Sequence, residues 1–203
     1  RALAASGVSV ASVGDLSNYG VLTGMQGAHD RSEALDIFAR MYAPMIGTGP
    51  VSDYLSQTGL DALRGADILS DAPKTYSSSV EYGGSPLAQW IKNIAQVHLA
   101  DFGTRIFYTG VNPGTFDTHA NENITLPKLW GDVSNAIADF HEDLKEHNAN
   151  EEVVILLFTE FGRRVVDNGS GTDHGSGSVA FMIGDAVKGG LYGEYPSLEP
   201  EKL

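Results

Sequence analysis

The sequence predicts a single α/β domain with a largely parallel sheet, and three observations carry that expectation. Val153 to Phe158 (Val-Val-Ile-Leu-Leu-Phe) is an apolar run of strand length without alternation, the pattern of a strand covered on both faces. Just before it, Leu126, Leu129, Val133, Ile137, Phe140 and Leu144 recur at helical spacing with acidic residues on the opposite side. Shorter β-rich runs flank these two, Thr104 to Thr109 and Ser178 to Ile183, so the order strand, helix, strand, loop, strand implies parallel neighbours.

Taken in order, Ala2 to Gly27 is rich in Gly, Ser and Val, and Val8, Val10 and Val13 suggest short extended pieces between turns. Arg31 to Tyr42 reads as a helix from the spacing of Ala34, Leu35, Phe38, Met41 and Tyr42, with Asp30 and Glu33 forming a capping-box pattern. Gly47 to Gly84 mixes weak helical stretches with Gly, Pro and Ser and reads as a surface excursion, with loop at Tyr76 to Ser79. Pro86 opens the next helix, whose stripe is Leu87, Trp90, Ile91, Ile94 and Val97. Asn148 to Asn150 close the long helix, and a Gly-rich loop carries Asp173-His174.

Composition bounds the chemistry. The 203 residues form one core-sized unit with 42% apolar and 19% charged residues, ordinary for a globular fold. A formal charge of -13 repels a phosphate backbone, so nucleic acid is excluded as a partner, while a local Arg or a metal still admits a small anionic substrate. The absence of cysteine removes disulfides, thiolate nucleophiles and Cys-bound zinc. No apolar run reaches the roughly 20 residues that cross a bilayer. Arg1 and Leu203 both fall where no element begins or closes, so the expected domain spans residues 1–203 and lacks segments at both ends.

The candidate chemistry lies between Phe116 and Gly175. In open parallel sheets ligands bind beyond the carboxyl ends of strands, where both the Asp117 loop and the Glu160 loop depart. Asp117-Thr118-His119 and Asp173-His174 each pair a carboxylate with an imidazole, a donor mixture suited to zinc, manganese or iron. Asp173 has a second reading as an Asx-turn residue, with His174 bonded to backbone. Arg163 and Arg164 are candidates to clamp an anion bidentately, against a salt bridge to Glu160 or Asp167. His29, His98, His141 and His147 read as solvated or core-satisfied and receive no role. A Walker loop, a Rossmann fingerprint and a Gly-x-Ser-x-Gly elbow are all missing in the required strand–helix context.

Phe116-Asp117-Thr118-His119-Ala120-Asn121, Thr159 to Arg164, Asn168-Gly169 with Gly171 to Gly175, and Lys188-Gly189-Gly190 with Tyr192-Gly193 together resemble the bacterial domain-of-unknown-function family fifteen-oh-one. The resemblance covers roughly Leu87 to Leu198 well and the earlier chain loosely. That family in turn resembles the alkaline phosphatase and sulfatase superfamily. The resemblance implies a three-layer, doubly wound α/β/α fold, present in part, and transfer of phosphoryl or sulfuryl groups at a one- or two-metal site. Many relatives carry a twin-arginine export signal, which implies a periplasmic or cell-surface home. Asp117, His119 and His174 look like ligands of one ion, with zinc first and manganese, calcium or iron behind it. Glu160 and Phe161 stand where the superfamily has an Asp-His pair, which puts a second metal in doubt. Asp173-His174 is the alternative match to that pair. The superfamily's nucleophile would lie upstream of Arg1.

Three functions follow as expectations. The first is a metal-dependent hydrolase of small phosphate or sulfate esters, with Arg163 or Arg164 holding the anion. The second is an exported binding or scaffold protein with a degenerate site. The third makes the polar cluster structural, with Asp117 and Asp173 capping turns and Glu160 paired to Arg163.

Overall fold

The computed structural model describes residues 2–5, 8–12, 31–56, 72–112 and 114–199, which form two compact units. The expected capping box at Asp30 and Glu33, and Val13, lie outside the described residues or side chains.

The first unit comprises Arg1–Ser78 and Gln89–Thr109. It contains β1 (Ala2–Ala5), β2 (Val8–Ser12), α1 (Arg31–Tyr42), most of α2 (Pro86–Leu99) and β3 (Ile106–Tyr108). Strand β1 pairs antiparallel with β2, and β2 pairs parallel with β3, Val10 standing opposite Ile106. Helix α2 starts at the proline that the sequence marks, because a residue without an N–H costs nothing in a first turn. Its last turn meets the sheet where His98 packs edge-on to Phe107 at 6.2 Å, a contact between two half-buried rings. The excursion from Gly47 carries helical turns at residues 50–56 and 72–75, and residues 76–83 are irregular, as the Ser run suggests.

The second unit comprises Ser79–Ala88 and Gly110–Leu203. Its axis is α3 (Glu122–Glu146), followed by β4 (Ile155–Leu157), β5 (Gly162–Asp167), β6 (Thr172–Gly175) and β7 (Phe181–Ile183). The buried stripe of α3 is Val133, Ala136, Phe140, Asp143 and Leu144. It is rotated slightly from the expected one, with Ala136 replacing Ile137 at its centre. The helix ends where Asn148 takes a positive φ of 56° and the Ala149 N–H donates to the Leu144 carbonyl at 2.9 Å, satisfying a terminal acceptor. At its base, buried Asp143 accepts a 2.7 Å hydrogen bond from the Tyr82 hydroxyl. The His147 Nδ1 lies 2.8 Å from the Asp143 carbonyl and 3.3 Å from its carboxylate.

Strand β4 pairs antiparallel with β7, Leu156 opposite Met182, because the intervening chain doubles back as a hairpin. Two local expectations are corrected here. Val153 to Phe158 is not covered on both faces among the described residues: Val154, Leu156 and Phe158 are exposed, while Ile155 and Leu157 are half-buried. Leu157 shares a cavity with Trp130, Val133 and Ile137 of α3, so only one face of the strand meets the helix. Asp173-His174 sits in strand β6, not in a loop, paired with β5 so that His174 faces Arg163. The physical reason is Asn168-Gly169, a turn-forming pair that reverses the chain between two extended runs. The hairpin is very close-packed at Gly162, where an added Cβ would lie 2.5 Å from the Gly177 carbonyl oxygen.

Candidate metal centre

The site is built where the hairpin turn locks onto the loop before α3. Asn121 and Glu122, at the start of that helix, donate their N–H groups to the Ser170 hydroxyl at 2.9 Å and the Ser170 carbonyl at 3.1 Å. Thr172 returns a 2.9 Å bond to the Glu122 carboxylate. At Gly171 a Cβ would lie 2.6 Å from the Thr118 carbonyl oxygen and 2.7 Å from the His119 carbonyl carbon, so only glycine lets the two backbones approach this closely.

This interlock brings together side chains far apart in sequence. Asp117 Oδ1 lies 2.7 Å from His174 Nε2 and 2.9 Å from His119 Nε2. The two imidazoles stack at 4.8 Å, and Phe161 stacks on the other face of His174 at 3.9 Å. One donor atom from each of Asp117, His119 and His174 falls within 4.8 Å of the others, and all three residues are exposed. They form the one such group of three among the described residues.

The remaining sequence candidates take different places. Asp173 faces the other side of His119, its Oδ1 3.3 Å from Nδ1, in the position of a carboxylate that orients a ligand imidazole. Arg163 reaches the Phe116 carbonyl at 2.8 Å, the Thr172 carbonyl, and Asp117 Oδ1 at 3.3 Å. Its ion pair is therefore with Asp117, across 46 residues, instead of the Glu160 or Asp167 weighed from sequence. Arg164 is exposed and gives its Nε to the His174 carbonyl at 3.2 Å. Glu160 is outside the three-residue group; it lines a cleft of about 230 Å³ together with Phe116, Asp117, Trp130 and Arg163.

The electrostatics favour charged carboxylates. The His174 hydrogen bond, with His119 and Arg163 nearby, holds the Asp117 carboxyl below the ordinary carboxylate range. Asn168 and then His119 do the same for Asp173. Two imidazoles and one carboxylate, with a further carboxylate behind one imidazole, are a donor set for a divalent ion, zinc above all. Tetrahedral bonds of about 2.0–2.1 Å hold neighbouring ligand atoms roughly 3.3 Å apart, so an ion requires the 2.7 and 2.9 Å Asp117 contacts to open and donor atoms up to 4.8 Å apart to close. In residue type the group suits a divalent ion.

Sequence reasoning missed Asn168 as a member of the site. Its Nδ2 donates to Asp173 Oδ1 at 3.1 Å and to the His119 carbonyl at 3.2 Å. The signal available was the Asn168-Gly169 pair itself, read only as part of a family pattern.

A family described as "Protein of unknown function (DUF1501)" matches residues 70–202, a span that contains every residue of this centre. No curated protein and no solved structure matches the chain.

Proposed function

The chain belongs to the DUF1501 family, and from that premise we propose that it is an exported, metal-dependent hydrolase of phosphate or sulfate esters, related to the alkaline phosphatase and sulfatase superfamily. The observation that carries the reading is the convergence of Asp117, His119 and His174 on one point. In this reading those three hold the ion, and Asp173 orients His119. A divalent ion there would polarise an ester oxygen as a Lewis acid. In this reading Arg164, exposed and bonded to the His174 carbonyl, would hold the anionic group, while Arg163 fixes Asp117 to the hairpin. The doubly wound, largely parallel sheet and a periplasmic or cell-surface location belong to the same proposal and rest on the family resemblance.

The test is elemental analysis of the full chain. One zinc per chain, lost in both His119→Ala and His174→Ala, supports the reading, and turnover of generic phosphate and sulfate esters by the loaded protein completes it. Metal-free protein under zinc excess sinks it. The second reading, a binding or scaffold protein, is favoured by Phe161: an aromatic ring, not a further ligand, lies against His174. It predicts ligand binding without any hydrolysis.

A further inference from the structure

We infer that Asn168 is a positioning residue of the metal centre, its side-chain amide holding Asp173 in place to receive the Nδ1–H of His119. The inference rests on the metal reading of Asp117, His119 and His174 and adds to it a residue on the hairpin turn.

The argument begins with the amide's two ends. Its oxygen accepts the N–H of Ser170 at 3.1 Å and of Gly171 at 2.9 Å. Its nitrogen faces two acceptors, the Asp173 carboxylate and the His119 carbonyl. Exchanging the two ends would set the NH₂ against two N–H donors and the oxygen against two oxygens, so the hydrogen-bond partners determine the orientation. One end of the side chain therefore builds the turn, and the other reaches the site.

The consequence for His119 is specific. An imidazole that binds an ion through Nε2 must carry its proton on Nδ1, and an acceptor there fixes both tautomer and ring angle. Asp173 Oδ1 supplies that acceptor, and Asn168 is its second hydrogen-bonding partner. The same Nδ2 also holds the His119 carbonyl, so backbone and ring of one ligand are referred to a single amide.

Asn168→Asp separates the two duties, because a carboxylate of the same shape still accepts the Ser170 and Gly171 N–H groups but offers no donor. It also opposes like charge at Asp173. The expected result is an unchanged urea midpoint and zinc affinity weakened about 10- to 100-fold, measured by competition with a chromophoric chelator. The downfield His119 Nδ1 proton, observed by NMR, should also disappear. Asn168→Asp combined with Asp173→Asn restores a donor–acceptor pair between the two positions and should recover part of the affinity and the proton signal.

Unchanged zinc affinity and an unchanged proton signal in Asn168→Asp overturn the inference. Should the single variant lower the urea midpoint, the paired variant decides: recovered signal supports positioning, and no recovery overturns it. If the unaltered protein binds no zinc, the metal reading fails on its own. The Nδ1 proton in metal-free protein then judges Asn168: its loss in the variant supports the contact, and its persistence overturns it.

Discussion

Two regions of the second unit are made from the same residue types and are opposites in chemistry. At the base of α3, Asp143 is fully buried, with the Tyr82 hydroxyl and His147 directed at it. At the hairpin, Asp117, His119 and His174 are exposed and point their donor atoms at one another. In the first the carboxylate is buried and held by a tyrosine hydroxyl; in the second three exposed groups bring their donor atoms within 4.8 Å of one another. An Asp near a His is thus no sign of a metal. What matters is whether the carboxylate is buried in the core or exposed beside a second and third possible ligand atom.

The largest expected effects separate these regions directly. Asp143→Ala should cost about 3 kcal/mol in urea unfolding, since it strips a buried network of its acceptor, and should leave zinc content intact. Asp117→Ala should abolish zinc binding and leave the urea midpoint nearly unchanged, as expected for an exposed cluster. Equal destabilisation by the two, with no metal in either, would return Asp117 to a purely structural role.

A smaller effect sharpens the contrast from the backbone. Gly171→Ala forces a Cβ against the Thr118 and His119 carbonyls and should cost about 1–3 kcal/mol, as overpacking does. It should also lower zinc affinity, because the hairpin must move away from the loop. A Gly171→Ala variant that keeps full affinity would show that the interlock is not what aligns the ligands.

The smallest effect is in acid. Asp117, Asp173 and Asp185 all sit below the ordinary carboxyl value, the last through Asn150 and then His141. A depressed native value means that the unfolded chain binds more protons, so the stabilisation is complete above roughly pH 4 and is lost as pH falls through the native values. Carboxyl NMR titration of metal-free protein should find all three midpoints below those of exposed reference acids; ordinary midpoints would contradict the hydrogen bonds described.

Much of the second unit was legible in the sequence. The long helix announces itself by period and by its Asn148 stop, and the strands lie inside the apolar runs expected for them. The β5–β6 hairpin was not legible as strands, because its residues are charged or small and its turn pair passed as part of a motif. Among the site residues, Asp117, His119 and His174 were chosen on residue type, on their place beside the expected strands and on the family resemblance. Asp173's position behind His119, and Arg163's pairing with Asp117, depend on contacts across 54 and 46 residues. No local pattern encodes such distances.

Asn168 also bears on how long the protein stays chemically intact. An asparagine followed by glycine is prone to lose ammonia when the next backbone nitrogen attacks its side-chain carbonyl, and water then opens the ring to aspartate or isoaspartate. Here the attacking Gly169 N–H is bonded to the Asp167 carboxylate at 2.5 Å, and both ends of the Asn168 amide are engaged. The native hairpin thereby slows its own ageing. Wherever it opens, the aspartate branch of the reaction writes into the chain the same exchange of amide for acid that Asn168→Asp introduces on purpose, and the isoaspartate branch also reroutes the backbone of the turn.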